Sequence, residues 1–177
     1  MNLPRSLSFL LFCLMIPVLV TAREIYQEPE EFISETFSGH APDAQMLKFT
    51  DPMREQIKEI VGHDLGVRRM RYWSQAGRTA WILEEIGKEQ PITTGIVVNK
   101  GKIELLKVLI YRESRGFEVH EDFFTDQFKD ARLTDDSELD HGIDGISGAT
   151  LSTRALTKLA RLALYLDQQS ELANVSD

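Results

Sequence analysis

The sequence predicts an α+β domain in which an antiparallel sheet packs against helices. Three observations predict it. Apolar, β-branched segments alternate with short turns between Arg68 and Tyr111, the pattern of consecutive hairpins. One amphipathic helical pattern precedes these segments and a longer one closes the chain. In the last strand Leu105, Leu106, Val108, Leu109 and Ile110 are all apolar. Both faces of such a strand are covered, so a helix lies on the sheet.

The first 22 residues stand apart from the rest. Arg5 is their only charged side chain, and Leu7 to Val20 form an apolar run broken only by Ser8 and Pro17. The run is short for a membrane span. Val20-Thr21-Ala22 then supplies small residues. Together these features read as a secretory signal cleaved after Ala22, with a retained N-terminal anchor as the alternative. The expected location is periplasmic. Residues 23–50 are acidic without a sustained period, through Glu28, Glu30, Glu31 and Glu35. They read as a solvated lead-in with at most a short helix.

The expected domain covers residues 51–168, followed by a tail over 169–177. Its first helix starts with Asp51 as cap and Pro52 in the first turn. Met53, Ile57, Ile60 and Val61 share one face, and Gly62 ends the helix. Strands over 68–74 and 79–86 flank Gln75-Ala76-Gly77. Strands over 92–99 and 102–111 flank Lys100-Gly101, a strong hairpin signal. Residues 112–140 have no regular period but carry Phe117, Phe123, Phe124 and Phe128 as apolar anchors, with a short helix expected over 121–128. The final helix spans 151–168. Ala155, Leu156, Leu159, Ala160, Ala163 and Leu166 form its apolar stripe, and Arg154, Lys158 and Arg161 line another face. Arg154 is a candidate anion contact because it follows a Ser-Gly turn closely.

Charge and cysteine content exclude several functions. The formal net charge is −8, and loss of the signal, which carries Arg5 and no acid, takes it to −9. Nucleic-acid affinity rests on Lys and Arg neutralising phosphates, so nucleic acid is not an expected partner. Cys13 is the only cysteine. The mature chain therefore has no disulfide, thiolate metal site or cysteine nucleophile. His120 and His141 sit among acids without metal-ligand spacing, and no metal is expected there. There is no nicotinamide fingerprint and no haem attachment motif.

The stretch richest in chemistry is Asp144-Gly145-Ile146-Ser147-Gly148-Ala149-Thr150. It ends in a threonine at the mouth of the last helix. Unpaired N–H groups and the positive end of the helix dipole meet there, which suits a phosphate. Gly148 permits unusual backbone angles, and Ala149 leaves room beside the turn. Asp144 is suited to fixing the turn. From these residues alone, a plain capped helix start and a phosphate site both fit.

The string through Leu151-Ser152-Thr153 resembles the flavinylation motif of the FMN-binding domain family. That family includes subunits of the sodium-translocating NADH:quinone reductase and of the Rnf electron-transfer complex. The resemblance covers residues 92–166. It implies a covalent FMN on Thr150, attached through a phosphoester by a magnesium-dependent transferase that uses FAD. It assigns Asp144, Ser147, Gly148, Ala149, Thr150 and Leu151 to the cofactor site. A Glu-Thr-Pro-Gly segment of the family corresponds to Glu113-Ser114-Arg115-Gly116, where Glu113 and Gly116 match and Ser114 and Arg115 depart. Glu113 and Gly116 are thus further cofactor-site candidates. Tyr111, Phe117, Phe123 and Phe124 are candidates to flank the flavin ring or to be core. The expected role is an exported electron carrier that relays electrons between membrane or periplasmic redox proteins, not an autonomous enzyme. A redox-inert binding or assembly module on the same fold is the alternative, and a flavin reductase a third.

Overall fold

The computed structural model describes residues 23–176. The expected signal segment lies outside the described residues. Six strands form one antiparallel sheet in the order β1-β6-β5-β4-β3-β2. They are β1 (Glu24–Ile25), β2 (Gln45–Lys48), β3 (Arg69–Gln75), β4 (Arg78–Ile86), β5 (Pro91–Asn99) and β6 (Lys102–Tyr111). The helices are α1 (Pro29–Thr36), α2 (Asp51–Val61), α3 (Asp122–Thr125) and α4 (Thr150–Ser176), with 3-10 turns at Phe117–His120 and Asp126–Phe128. The α+β architecture is the one expected.

Local sequence explains the hairpins. Ala76-Gly77 and Lys100-Gly101 both occupy the left-handed region, at φ 53° and 77° and at 52° and 70°. Two consecutive positive φ angles define the turn whose twist matches that of the flanking strands. Helix α2 ends at Gly62, with φ 86° and its N–H on the Lys58 carbonyl. Its cap is Thr50, whose hydroxyl accepts from Met53 N–H at 3.4 Å, so Asp51 is the first helical residue and not the cap.

One face of the sheet carries most of the core. Helices α2 and α4 bring Ile57, Ile60, Leu156, Leu159 and Ala163 onto Trp81, Ile96 and Val98. Buried Glu85 ties this layer together. Its carboxylate accepts from Lys158 Nζ at 3.2 Å and pairs with His63 Nε2 at 2.8 Å. The hydrogen bond to Glu85 is the main reason the His63 imidazole is held above its ordinary pKa.

The second face corrects the reading of residues 23–50 as a solvated lead-in. Strand β1 pairs with β6, strand β2 pairs with β3, and α1 lies on the sheet. Phe32, Ile33 and Phe37 of this segment are buried against Ala80, Val97, Leu109 and Ile110. Burying three such side chains is worth ~6 kcal/mol in transfer terms. Three acids on an eight-residue helix hide so short an apolar stripe from a periodicity argument. A bulge in β6 adapts the sheet to α1. Leu109 has no partner in β5, and its carbonyl accepts the N–H groups of Tyr26 and Gln27. Leu109 and Ile110 consequently both face α1. Helix α4 also runs past the expected end at 168, because Gln168 to Ala173 contain no glycine or proline to stop it.

Two predictions follow from this packing. A Cβ on Gly95 would lie 2.6 Å from the Phe32 ring, which is buried and cannot swing away. Gly95→Ala should destabilise the fold by about 1–3 kcal/mol in urea titrations, and Phe32→Leu should recover part of the loss. Asp167 of α4 is buried and accepts from the Thr79 hydroxyl at 2.5 Å, which accepts in turn from Trp81 Nε1 at 2.9 Å. Burial pushes its carboxyl up to about 6. The folded state therefore binds this proton more tightly than the unfolded chain. Its contribution is complete below the ordinary carboxylate pKa and is lost as pH rises through 6. Relative to Asp167→Asn, the native protein should lose up to ~3 kcal/mol of stability between pH 4 and 7.5. A pH-independent difference would refute the assignment.

Candidate functional site

The turn before α4 is built around Gly148. Ala149 N–H donates to the Ile146 carbonyl at 3.0 Å, and Gly148 has φ 84°. Only glycine adopts that angle without strain. The first helical hydrogen bond runs from Thr153 N–H to the Ala149 carbonyl at 2.9 Å. Among the described residues the N–H groups of Thr150, Leu151 and Ser152 have no partner. Thr150 is exposed as the first residue of a 27-residue helix. Its hydroxyl thus stands beside three free donors at the positive end of a long helix dipole.

The end of β6 meets this turn. Tyr111 is buried, and its hydroxyl donates to the Arg115 carbonyl at 2.6 Å and lies 3.1 Å from Ser152 Oγ. Burial raises the phenol pKa, and the Ser152 hydrogen bond opposes that shift. Gly116, at φ 79°, faces Ala149 so closely that a Cβ would lie 2.8 Å from the Ala149 methyl. Two small residues therefore let the loop and the helix mouth touch.

Between them opens a cleft of about 490 Å³ lined by Lys88, Glu89, Glu113 to Arg115 and Gly148 to Ser152. Its size suits a cofactor. Glu113 forms part of the wall and also builds it. One carboxylate oxygen accepts the backbone N–H groups of Lys88, Glu89 and Gln90, at 2.7 Å and 3.0 Å for the last two. It thereby fixes the turn between β4 and β5 as the opposite rim.

The expected site residues divide into three groups. Glu113, Gly148, Ala149, Thr150 and Leu151 line the cleft. Gly116 supports it from behind Ala149. Ser147 and Asp144 are exposed outside the lining. Asp144 is held by its backbone, whose N–H donates to Gln127 Oε1 at 2.7 Å. His141 reinforces this link through Asp140 Oδ1 and the Gln127 carbonyl, both at 2.8 Å. These bonds, the Gln127 one foremost, raise the His141 pKa. Among the described residues no group of three or more His, Cys, Asp or Glu could hold a metal.

The cations of the cleft are Lys88 and Arg115, not the candidate Arg154. Arg115 occupies a motif position that departs from the family pattern, and Lys88 reaches the cleft only through the Glu113 contact. Sequence reasoning missed Lys88 and Glu89 as lining residues. Of the aromatic candidates, Tyr111 and Phe124 are core, while Phe117 and Phe123 are exposed.

Residues 87–165 match the model of a family described as FMN-binding domain. This part of the chain is an FMN-binding domain. Every residue lining the cleft falls inside the matched span. No curated protein and no solved structure matches the chain. The donor set fits FMN: three free N–H groups and Arg115 are suited to its phosphate, with Lys88, paired to Glu89 at 3.1 Å, beside them. The matched span opens at the β4–β5 turn. Strands β1 to β4 and helices α1 and α2 precede it and complete the sheet on which the FMN-binding domain rests.

The close contact yields a prediction. Gly116→Ala combines a positive φ with a clash and should cost about 2 kcal/mol or more. Gly142, with nothing within 4 Å of a Cβ, is the control and should change stability by less than ~0.5 kcal/mol on substitution to alanine. Equal unfolding midpoints for the two variants would mean that the loop does not bear on the helix mouth.

Proposed function

We propose that this protein is an exported electron carrier whose FMN is esterified to Thr150. The observation that carries the proposal is a solvent-reachable hydroxyl at a helix mouth, beside three unpartnered N–H groups, inside a cleft of cofactor size. Bound FMN supplies the redox chemistry. The chain's own residues supply attachment, position and charge. Thr150 Oγ is the tether, and the α4 dipole with Arg115 and Lys88 balances the phosphate charge. Tyr111, Gly116 and Ala149 hold the helix mouth against the loop. Glu113 holds the facing rim. A covalent tether keeps the cofactor on a protein that works outside the cytoplasm, as the N-terminal signal pattern suggests.

Attachment needs a partner. An FAD-dependent flavin transferase would join Thr150 Oγ to the FMN phosphorus of FAD, break the pyrophosphate bond and release AMP and the hydroxyl proton. Asp144, exposed beside the turn and without a hydrogen bond to its carboxylate among the described residues, is free to engage that enzyme. In service, the partners are membrane or periplasmic redox proteins.

The protein co-expressed with its transferase should stay yellow after denaturation, and the peptide spanning Thr150 should carry the added mass of FMN. Thr150→Ala should abolish the label, and Thr150→Ser should retain a hydroxyl and part of it. Full labelling of Thr150→Ala would overturn the attachment site. Colour that washes out on denaturation would mean noncovalent FMN. Colourless protein from a host that flavinylates a control substrate would favour a redox-inert binding module.

A further inference from the structure

The acidic chain concentrates unpaired positive charge on one ribbon. Strands β2 and β3 pair in the register Met46 to Arg71 and Lys48 to Arg69. Residues directly opposite in an antiparallel pair share a face. Leu47, on the alternate side of β2, is buried in the main core. The other side of the ribbon therefore presents Met46, Lys48, Arg69 and Arg71 together. Arg68 and Val67 precede β3, and Met46 and Val67 are each 44% exposed. With Phe49 these residues line an open groove. Among the described residues no carboxylate lies within 4 Å of Lys48, Arg68, Arg69 or Arg71. Four cations are thus left free on a protein of net charge −8.

The ribbon also lies toward the cleft. Strand β3 starts at the end of the sheet where β4 finishes, because the two are antiparallel and joined at Ala76-Gly77. His63 pairs with Glu85, two residues before the turn that forms the cleft rim. Five residues separate His63 from Arg68, a reach of at most ~18 Å. The ribbon and the cleft rim therefore share one end of the sheet.

We infer that the Lys48–Arg68–Arg69–Arg71 face is the docking surface for an acidic electron-transfer protein. Free cations around a shallow apolar groove attract a negative partner over long range and let it settle on Met46 and Val67. Four cations around only two exposed apolar side chains, Met46 and Val67, complement an acidic protein surface. The redox role of this face rests on the carrier reading above.

The test uses an acidic [2Fe–2S] ferredoxin as probe. In titrations of the isotope-labelled protein, amides of residues 46–49 and 67–71 should shift at ~20 mM NaCl and return at ~300 mM. With holoprotein, reduced ferredoxin should reduce the flavin about tenfold more slowly after combined Arg68→Glu, Arg69→Glu and Arg71→Glu. Photoreduced deazaflavin, which is uncharged, should reduce both proteins equally and so reports an intact fold and site. Unchanged ferredoxin kinetics in the triple variant, or no shifts on this face, would overturn the docking surface. Binding of phosphatidylglycerol vesicles through the same residues without ferredoxin binding would also overturn it, in favour of a membrane face. Colourless protein would sink the carrier reading alone, since the titration still tests the surface.

Discussion

The cleft depends on how closely the end of β6 approaches the mouth of α4. Gly116 and Ala149 permit the approach, and the Tyr111 hydroxyl secures it from Arg115 to Ser152. A larger side chain at either small position would separate the loop from the helix. The free N–H groups of α4 would then face open water instead of a shaped cleft. The turn at Gly148 itself is open, with nothing within 4 Å of a Cβ there.

The rest of the molecule holds that junction in place. Strands β4, β5 and β6 carry the three chain ends that converge on the cleft, and α4 crosses them through a continuous apolar stripe. Glu85, His63 and Lys158 clamp α4 to β4 and to the end of α2. Segment 23–50 seals the second face. Without α1, Val97 and Leu109 of the central strands would be open to water. The FMN-binding domain of residues 87–165 therefore relies on elements outside it for strands β1 to β4 of the six-stranded sheet and for much of its cover.

Charge is distributed unevenly for a physical reason that bears on function. Acids outnumber bases, and most cations that approach a carboxylate are neutralised: Arg54, Arg78, Arg112 and Arg161 all form ion pairs. Among the described residues, Arg115 at the cleft and the four cations of the β2–β3 ribbon form no ion pair.

The sequence by itself determined the elements whose signals are local. The two-residue turns, the strands from Arg69 to Tyr111, the capped helix ending at Gly62 and the phosphate-ready turn before Thr150 all follow from neighbouring residues. Turn angles, caps and helix dipoles act over a few positions, so a short string encodes them. The motif resemblance pointed to Thr150 for the same reason. Only the tertiary structure decided that acidic residues 23–50 belong to the sheet, because Phe32 and Phe37 find their partners on β4, β5 and β6 far along the chain. It alone brought Lys88 to the cleft, turned Glu113 into the holder of the opposite rim, and set Arg115 there in place of Arg154. Those assignments depend on contacts between distant residues, and no local period or spacing carries them.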